Sequence, residues 1–284
     1  MATLRDIKRR ISSVQGTQQI TRAMRMVAAA KLRRAQDNLM KARPYTDKLH
    51  EVIVNVAAHT DQSQHELLEL RPAKSVCWVV VTGDRGLCGG FNNNLLRAAA
   101  ENYNNTSDVE KSVIPVGKKA RDFFITRDYP VAESYVEFFR ELDFSHAADI
   151  GDHLMEQFLN GTYDRVVLVY NAFRTVITQD ITVRTLLPLA DEFSSTPSAV
   201  DYIFEPEPAQ LLDTLLPQHV HMQIWRMLLE SWASELGARM AAMENATDAA
   251  DDMIASLTLQ YNKTRQQTIT KELSEIVGGA EALK

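Results

Sequence analysis

The chain has 284 residues, of which 45% are hydrophobic and 24% charged, and it carries a net charge of −6. One or two domains with a hydrophobic core are therefore expected. No apolar segment opens the chain, and no stretch approaches the roughly 18 uninterrupted apolar residues of a membrane span, so neither a signal peptide nor a span is predicted. Two cysteines, Cys77 and Cys88, fit a reducing compartment.

A long amphipathic helix is predicted at the start of the chain. Apolar or small residues recur there in alternating steps of three and four, which is the spacing of a coiled-coil seam. The seam thins at Gln18, Thr21 and Arg25, and Pro44 is expected to kink or end the helix. Residues 1–48 hold twelve Lys and Arg against three Asp, which makes this helix a basic arm.

The middle of the chain alternates predicted strands and helices. Ser75–Thr82 and Arg165–Tyr170 are continuous apolar runs, as expected of strands buried on both faces of a sheet. The alternation predicts a Rossmann-like α/β domain with a mostly parallel sheet. The other predicted elements are a helix capped by Asn92 and running to Tyr103, a strand at Val113–Val116, a helix at Lys118–Thr126, a strand at Val131–Val136, a helix capped by Ser145 and running to Leu159, and an antiparallel edge strand at Thr182–Leu189.

A second long helix is predicted at the end of the chain, after a Ser-, Pro- and acid-rich connector. Gln210–Leu216 is expected to form a short helix of its own, and the long helix to run from Pro217 to about Val277. Its seam changes from Leu and Trp to Met, Ala and Thr along the helix. A helix of about 60 residues would be roughly 90 Å long, too long for a domain of this size to bury.

These two long helices are expected to pair as an antiparallel coiled coil. Residues 205–261 hold nine acids against two Arg, so this stretch is opposite in charge to the basic arm. Two separate surface helices, or two halves of a dimer zipper, remain alternatives. Small and polar seam residues weaken packing but keep a rod slim and smooth, which suits a shaft enclosed by other proteins.

Three groups of residues are candidates for chemistry. The Gly-rich stretch Gly83–Gly90 follows a strand and could bind phosphate, but the P-loop and dinucleotide signatures are absent, so a tight exposed turn is the simpler interpretation. Cys88 is either a nucleophile or an inert thiol, and no Cys–His signature favours the first. His219 and His221 would point to different faces of a helix, which disfavours a metal site.

The basic arm permits three interpretations. Its clustered Lys and Arg residues could bind nucleic acid, although no aromatic residue precedes Tyr45 to stack on bases. They could instead form a solvated charged face. The third possibility is a basic helix that faces an acidic protein surface.

Four stretches of the sequence resemble the gamma subunit family of F-type ATP synthases. They are ITRAMRMVAAAKLRRAQ at Ile20–Gln36, TGDRGLCGGFNNNL at Thr82–Leu95, EPEPAQLLDTLLP at Glu205–Pro217, and the long segment Glu244–Ala280. In this family the terminal helices form a central shaft inside a ring of three alpha and three beta subunits, and the α/β domain contacts epsilon and the membrane ring of c subunits. The resemblance therefore implies a rotor that couples proton flow to ATP synthesis and regulates ATPase activity, with no catalytic site and no cofactor of its own.

The same resemblance implies which residues contact partners. The stretch that faces the acidic lever loop of beta is matched by Met24, Arg25, Arg33 and Arg34. A second contact with that lever is matched by Arg85, Leu87 and Cys88. The segment held by loops in the upper half of the ring is matched by Asn262, Arg265, Gln266 and Thr270. The apolar bearing at the end of the shaft is matched by Leu273, Ile276 and Val277.

The predicted domains are an N-terminal coiled-coil helix at 1–57, an α/β domain at 73–190, the connector at 191–209 and a C-terminal coiled-coil helix at 210–284. The paired-cysteine insertion of chloroplast members is missing, so thiol control is not expected. No transit peptide precedes Met1, and the resemblance implies a bacterial protein at the cytoplasmic face of the plasma membrane, touching the membrane only through its complex. Neither nucleic acid nor metal is an expected partner. An α/β nucleotide-binding enzyme and a basic coiled-coil nucleic-acid-binding protein stand as alternatives.

Overall fold

The computed structural model describes residues 3–59, 65–107, 109–176, 178–189, 193 and 204–281. Most of the predicted connector at 191–209 lies outside these residues. The chain divides into two compact units: unit 1 comprises 1–28 and 240–284, and unit 2 comprises 29–239. The elements in chain order are α1 (Leu4–Ala57), β1 (Ser75–Val81), α2 (Phe91–Asn105), β2 (Glu110–Val116), α3 (Lys118–Thr126), α4 (Phe144–Leu159), β3 (Arg165–Phe173), β4 (Gln179–Leu187) and α5 (Pro208–Glu281).

Unit 2 is built on a four-stranded sheet with the strand order β2-β1-β3-β4. The strand β1 pairs in parallel with both β2 and β3, whereas β4 pairs antiparallel with β3 and forms an edge. The register of β3 and β4 shifts between Val166 and Val167. The mostly parallel sheet with an antiparallel edge strand, predicted from the sequence, is thus confirmed.

Both faces of the sheet are covered, which explains why its central strands are apolar throughout. Alternate residues of β1 point to opposite faces, so Val76, Trp78 and Val80 pack with α2 and α3. Cys77, Val79 and Val81 pack in the other core, with α4, the last turns of α1 and the first part of α5. The result is a three-layer α/β/α arrangement.

Two prolines that were expected to interrupt the long helices lie inside them. Pro44 is within α1, which continues to Ala57, and Pro217 is within α5, which already begins at Pro208. The predicted separate helix at Gln210–Leu216 is therefore wrong. A proline in a helix removes one hydrogen bond and crowds the preceding turn, but Leu212, Leu216 and Val220 bury the same face on both sides of Pro217. Burial of this face outweighs the local preference.

The segment predicted as a strand at Val131–Val136 forms only two isolated parallel bridges to β2. Val131 pairs with Val113, and Tyr135 pairs with Val116. Between them lies Pro115, which has no N–H group to donate to a ladder. The Tyr135 N–H donates to the Pro115 carbonyl at 3.0 Å as part of the second bridge, but the Pro115 nitrogen cannot donate in return, and regular pairing is interrupted.

The two predicted helix caps are also wrong in detail. At α4 the N-cap is Asp143, which accepts a hydrogen bond from the Ser145 N–H at 2.9 Å and forms a capping box with His146. At α2 the N-cap is Gly90, without a side-chain bond, and Asn92 lies within the first turn. The Asn92 side chain instead binds the backbone of the preceding loop.

In unit 1, α1 and α5 run antiparallel. The hydroxyl groups of Thr21 and Thr247 hydrogen-bond at 2.8 Å and are buried. Arg25 forms an ion pair with Glu244 at 3.0 Å, and the Gln18 side chain donates to Asp251. As residue numbers rise along α1 they fall along α5, which confirms the predicted antiparallel pairing.

Candidate functional site

The Gly-rich loop Gly83–Gly90 joins β1 to α2 and is held at its base by Asn92. The Asn92 amide accepts a hydrogen bond from the Gly83 N–H at 3.0 Å and donates one to the Arg85 carbonyl at 3.2 Å. One side chain therefore binds the loop backbone at two positions. This role explains why Asn92 is buried rather than capping α2 from outside.

A carboxylate from the same loop binds the start of α3, the helix after α2. Asp84 accepts hydrogen bonds from the N–H groups of Lys118 at 2.9 Å and Glu137 at 3.1 Å. A helix N-terminus attracts an anion because its first N–H groups lack partners within the helix. At α3 the protein's own carboxylate supplies that anion, which ties the Gly-rich loop to the start of α3.

The tip of the loop presents Leu87 to solvent in an unusual backbone conformation. Leu87 is 65% exposed and has φ of +66°. The left-handed region costs a side-chain-bearing residue about 1 kcal/mol, so surrounding contacts must maintain it. Arg85 is exposed as well, but Cys88 is only 2% exposed. Of the three predicted contact residues in the loop, two offer surface to a partner and Cys88 does not.

Neither cysteine is placed or poised as a nucleophile. Burial raises the pKa of Cys77 to about 12. Burial also raises the pKa of Cys88, and the neighbouring Glu235 carboxylate adds to the shift. A protonated thiol reacts poorly, because the thiolate is the nucleophile. The inert interpretation of Cys88 is therefore the one that the geometry favours.

Two residues of α5, Arg239 and Glu235, lie against the loop, and no pattern in the sequence predicts them as site residues. Arg239 donates one hydrogen bond to the Gly86 carbonyl at 2.8 Å and another to the Glu235 carboxylate. Glu235 is 9% exposed, and burial raises its pKa although the charge of Arg239 opposes the shift. The available signal was an acid followed by Arg at i,i+4, which is common on exposed helices and therefore weak.

The predicted contact residues of α1 differ in their surroundings. In unit 1, Met24 and Arg25 are partly buried, and Arg25 already pairs with Glu244. In unit 2, Arg33 and Arg34 are exposed. Leu32 and Ala35, on either side of them, pack with Ala233 and Leu236 of α5. The two guanidinium groups therefore lie on the outer surface of a packed helix pair.

The predicted contact residues near the end of α5 are all exposed. Among them are three large apolar side chains with more than half of their surface in solvent: Leu273 at 56%, Ile276 at 68% and Val277 at 58%. Exposed apolar side chains clustered in this way are typical of an interaction site. The polar members of the exposed set are Asn262, Arg265, Gln266 and Thr270.

The described residues offer little to a metal ion or a nucleotide. No group of three or more His, Cys, Asp or Glu among them is arranged to hold a metal. His219 faces Gln223 at 3.2 Å, whereas His221 faces Asp152 at 2.8 Å, so the two rings point to different neighbours. A depression between α1 and α5 in unit 2 encloses only about 10 Å³, far below the roughly 300–1,000 Å³ of typical ligand pockets.

Across the parts of the chain that the structure describes, none of the helices combines the length and the hydropathy needed to cross a membrane.

The chain is similar to known proteins over its whole length. The family model described as ATP synthase matches residues 3–283. The ATP synthase gamma chain of Prosthecochloris aestuarii is 46% identical over 290 residues, covering 100% of this chain and 99% of the relative. The ATP synthase gamma chain of Pelotomaculum thermopropionicum is 47% identical over 285 residues, covering 100% of both chains.

Solved structures share the fold. A chain from the central stalk and c-ring of the Tetrahymena thermophila mitochondrial ATP synthase has a TM-score of 0.62 at 29% identity, and the match covers 80% of this chain and 99% of that one. A chain of the Euglena gracilis mitochondrial ATP synthase has a TM-score of 0.70 at 21% identity, covering 99% and 94%. At that lower identity the likeness extends to the fold alone.

Proposed function

The chain belongs to the gamma chains of ATP synthases and serves as the rotor subunit of the central stalk, and we propose how it works. It transmits rotation between a membrane ring of c subunits and a hexamer of three alpha and three beta subunits, with epsilon bound beside it. Proton flow through the membrane ring is thereby coupled to ATP synthesis, and the same contacts regulate ATPase activity. The ATP-forming sites belong to its partners.

The observation that carries this proposal is the antiparallel pairing of α1 and α5 in unit 1. A shaft must turn as one body, and a buried Thr21–Thr247 hydrogen bond of 2.8 Å ties the two helices across their seam. Small seam residues allow the helices to approach closely. Rotation then drives each beta subunit through states of different affinity, because the shaft presents a different surface to each.

Three exposed surfaces are proposed to contact the hexamer. The first is the pair Arg33 and Arg34, which would face carboxylates of beta, since complementary charge fixes register across an interface. The second is the tip of the Gly-rich loop, with Arg85 and Leu87. The third is the end of α5, where a polar stretch is followed by three exposed apolar residues.

We place the ATP chemistry outside this chain. The Gly-rich loop supports this assignment, because it carries neither the P-loop nor the dinucleotide signature. The bacterial relatives at 46% and 47% identity support a bacterial plasma membrane as the location, with the chain at its cytoplasmic face.

Rotation of a probe attached to this chain tests the proposal. Both native cysteines are buried, so a Glu101→Cys variant offers one accessible thiol on the exposed face of α2. After assembly with alpha and beta subunits, a bead on this thiol is expected to rotate in one direction when ATP is added. Failure of the chain to assemble with the hexamer, or ATP hydrolysis with a stationary bead, would contradict it. The unlabelled wild-type complex is the control for ATPase activity.

A further inference from the structure

We infer that Arg239 is a positioning residue, which fixes the tip of the Gly-rich loop to α5 so that Leu87 meets its partner at a set place on the rotor. The inference rests on the proposed function, in which this loop contacts beta. It adds two residues, Arg239 and Glu235, that lie outside the contact surface itself.

The base of the loop and the Gly86 carbonyl at its tip are held by different side chains, although Asn92 also donates to the Cys88 Sγ at 3.2 Å. The base is bound by Asn92 and Asp84 through hydrogen bonds of 2.9 to 3.2 Å. The tip is reached by Arg239, whose Nη1 donates to the Gly86 carbonyl at 2.8 Å. A side chain at Gly86 would meet no atom within 4 Å, so packing around this residue does not hold the tip in place.

The Arg239 guanidinium is itself oriented by Glu235. Its Nη2 donates to the Glu235 carboxylate while its Nη1 donates to the loop. A planar guanidinium can serve two acceptors at a fixed angle, whereas a lysine ammonium is a flexible point charge. Glu235 also lies close to the start of the loop, since a Cβ added at Gly83 would be 3.2 Å from its Cγ. The pair therefore binds the tip of the loop through Arg239 and lies beside its start through Glu235.

The backbone of Leu87 gives a reason for such a brace. A bulky residue at φ of +66° relaxes to a commoner conformation unless its neighbours over-determine it. With the Gly86 carbonyl bound to α5, the next residue is held in this conformation with its side chain in solvent. A force that a partner exerts on Leu87 is then transmitted to α5, because the loop does not move.

Three variants of the full chain separate this role from general stability. Arg239→Gln removes the charge and the forked geometry, and Arg239→Lys keeps the charge alone. The matched control is Arg226→Gln, which removes another i,i+4 Arg–Glu pair of the same helix, at 2.9 Å from Glu230, without touching the loop. Thermal unfolding of all three compares their effects on the fold.

The first readout is the reactivity of Cys88 toward a thiol reagent in the full chain, with the modified cysteine identified by mass spectrometry. Cys88 is 2% exposed and lies beside the tip. Arg239→Gln is expected to raise its labelling rate about tenfold, because the loop opens locally more often. Arg239→Lys is expected to raise it less, and Arg226→Gln to leave it unchanged. Unchanged protection in Arg239→Gln would overturn the inference, and if that variant fails to fold, Arg239→Lys decides in the same way.

The second readout is ATP-driven proton pumping per ATP hydrolysed in the assembled complex. Arg239→Gln is expected to lose part of this ratio, while Arg226→Gln keeps it. Normal pumping with a reactive Cys88 would overturn the positioning role. Leu87→Ala tests the proposed function separately: it is expected to leave Cys88 protected and to lower the pumping ratio, and a normal ratio in this variant would contradict the proposed contact at Leu87.

Discussion

Glu235 illustrates how a buried carboxylate makes stability depend on pH. Burial raises its pKa above the ordinary value of 4.5 in the folded chain. At pH values between the pKa of Glu235 in the unfolded chain and its higher pKa in the folded chain, the native state binds more protons. The free energy of unfolding therefore falls as pH rises through that window. Above the window the charge must be accommodated by Arg239.

We therefore predict that Glu235→Gln flattens the pH dependence of the free energy of unfolding, from about pH 4.5 upward. Urea unfolding of the full chain at a series of pH values measures this dependence, as the difference in the free energy of unfolding between wild type and variant. Glu101→Gln, a change at an exposed glutamate of α2, is the control. A difference curve that does not vary with pH would show that the burial of Glu235 has no such consequence.

Arg33 and Arg34 test the electrostatic contact. Both side chains are exposed, so changing them to Glu should alter the stability of the isolated chain by no more than about 0.5 kcal/mol. In the complex the reversed charge would face carboxylates, and ATP synthesis driven by a proton gradient is expected to fall several-fold. The double change to Lys keeps the charge and should retain most of the activity. Wild-type synthesis by the Glu variant would refute the charge contact.

At the scale of elements, the end of α5 should be separable from the fold. Residues 271–278 are all exposed, so a chain ending at Thr270 loses no core packing from the part of this segment that the structure describes. We predict that unit 2 of this variant unfolds at the wild-type temperature, whereas the assembled complex develops lower torque or assembles poorly. Calorimetry and bead rotation measure the two effects. Loss of the α/β fold on truncation would contradict the modular role of this segment.

Elements that are determined by their own residues were predicted well, and elements that depend on packing against other parts of the chain were not. The strands β1 and β3 and the helix α3 carry their own pattern, and the sequence located all three within a few residues. Pro44 and Pro217 were misleading, because burial by neighbouring turns decides whether a helix survives a proline. Pro115 had the opposite effect, because it interrupted an element that the sequence predicted to be regular. The segment predicted as a strand at Val131–Val136 forms only isolated bridges to β2.

The candidate site was less accessible from the sequence than the fold. The glycine residues of the stretch Gly83–Gly90 predict a turn, and the resemblance to the gamma family predicted its contact residues. Arg239, which binds the tip of this turn, lies 153 positions from Gly86 in the sequence. No local pattern can reveal a contact over that separation. Nor does composition tell that Leu87 is exposed while Cys88, the next residue, is buried, since that depends on a left-handed backbone.

For the molecule as a whole, the charge asymmetry between the two ends serves association more than stability. The ion pair between Arg25 and Glu244 is 36% and 51% exposed, and pairs of this kind contribute about 0–1 kcal/mol. A surplus of nine positive charges in residues 1–48 instead favours approach to an acidic partner. Assembly rates should therefore fall with ionic strength while the fold is unaffected.

The rotor proposal requires that α1 and α5 turn together, and a covalent tie between them tests this. Thr21 and Thr247 face each other with their hydroxyl groups 2.8 Å apart, so cysteines at both positions are expected to form a disulfide on oxidation. Because both helices belong to the rotating body, the oxidised complex should rotate and pump protons at the rate of the reduced one. Thr21→Cys alone, treated with the same oxidant, controls for damage elsewhere. Rotation that stops on oxidation and returns on reduction would mean that the two helices must slide or part during each turn, which a rigid shaft does not do.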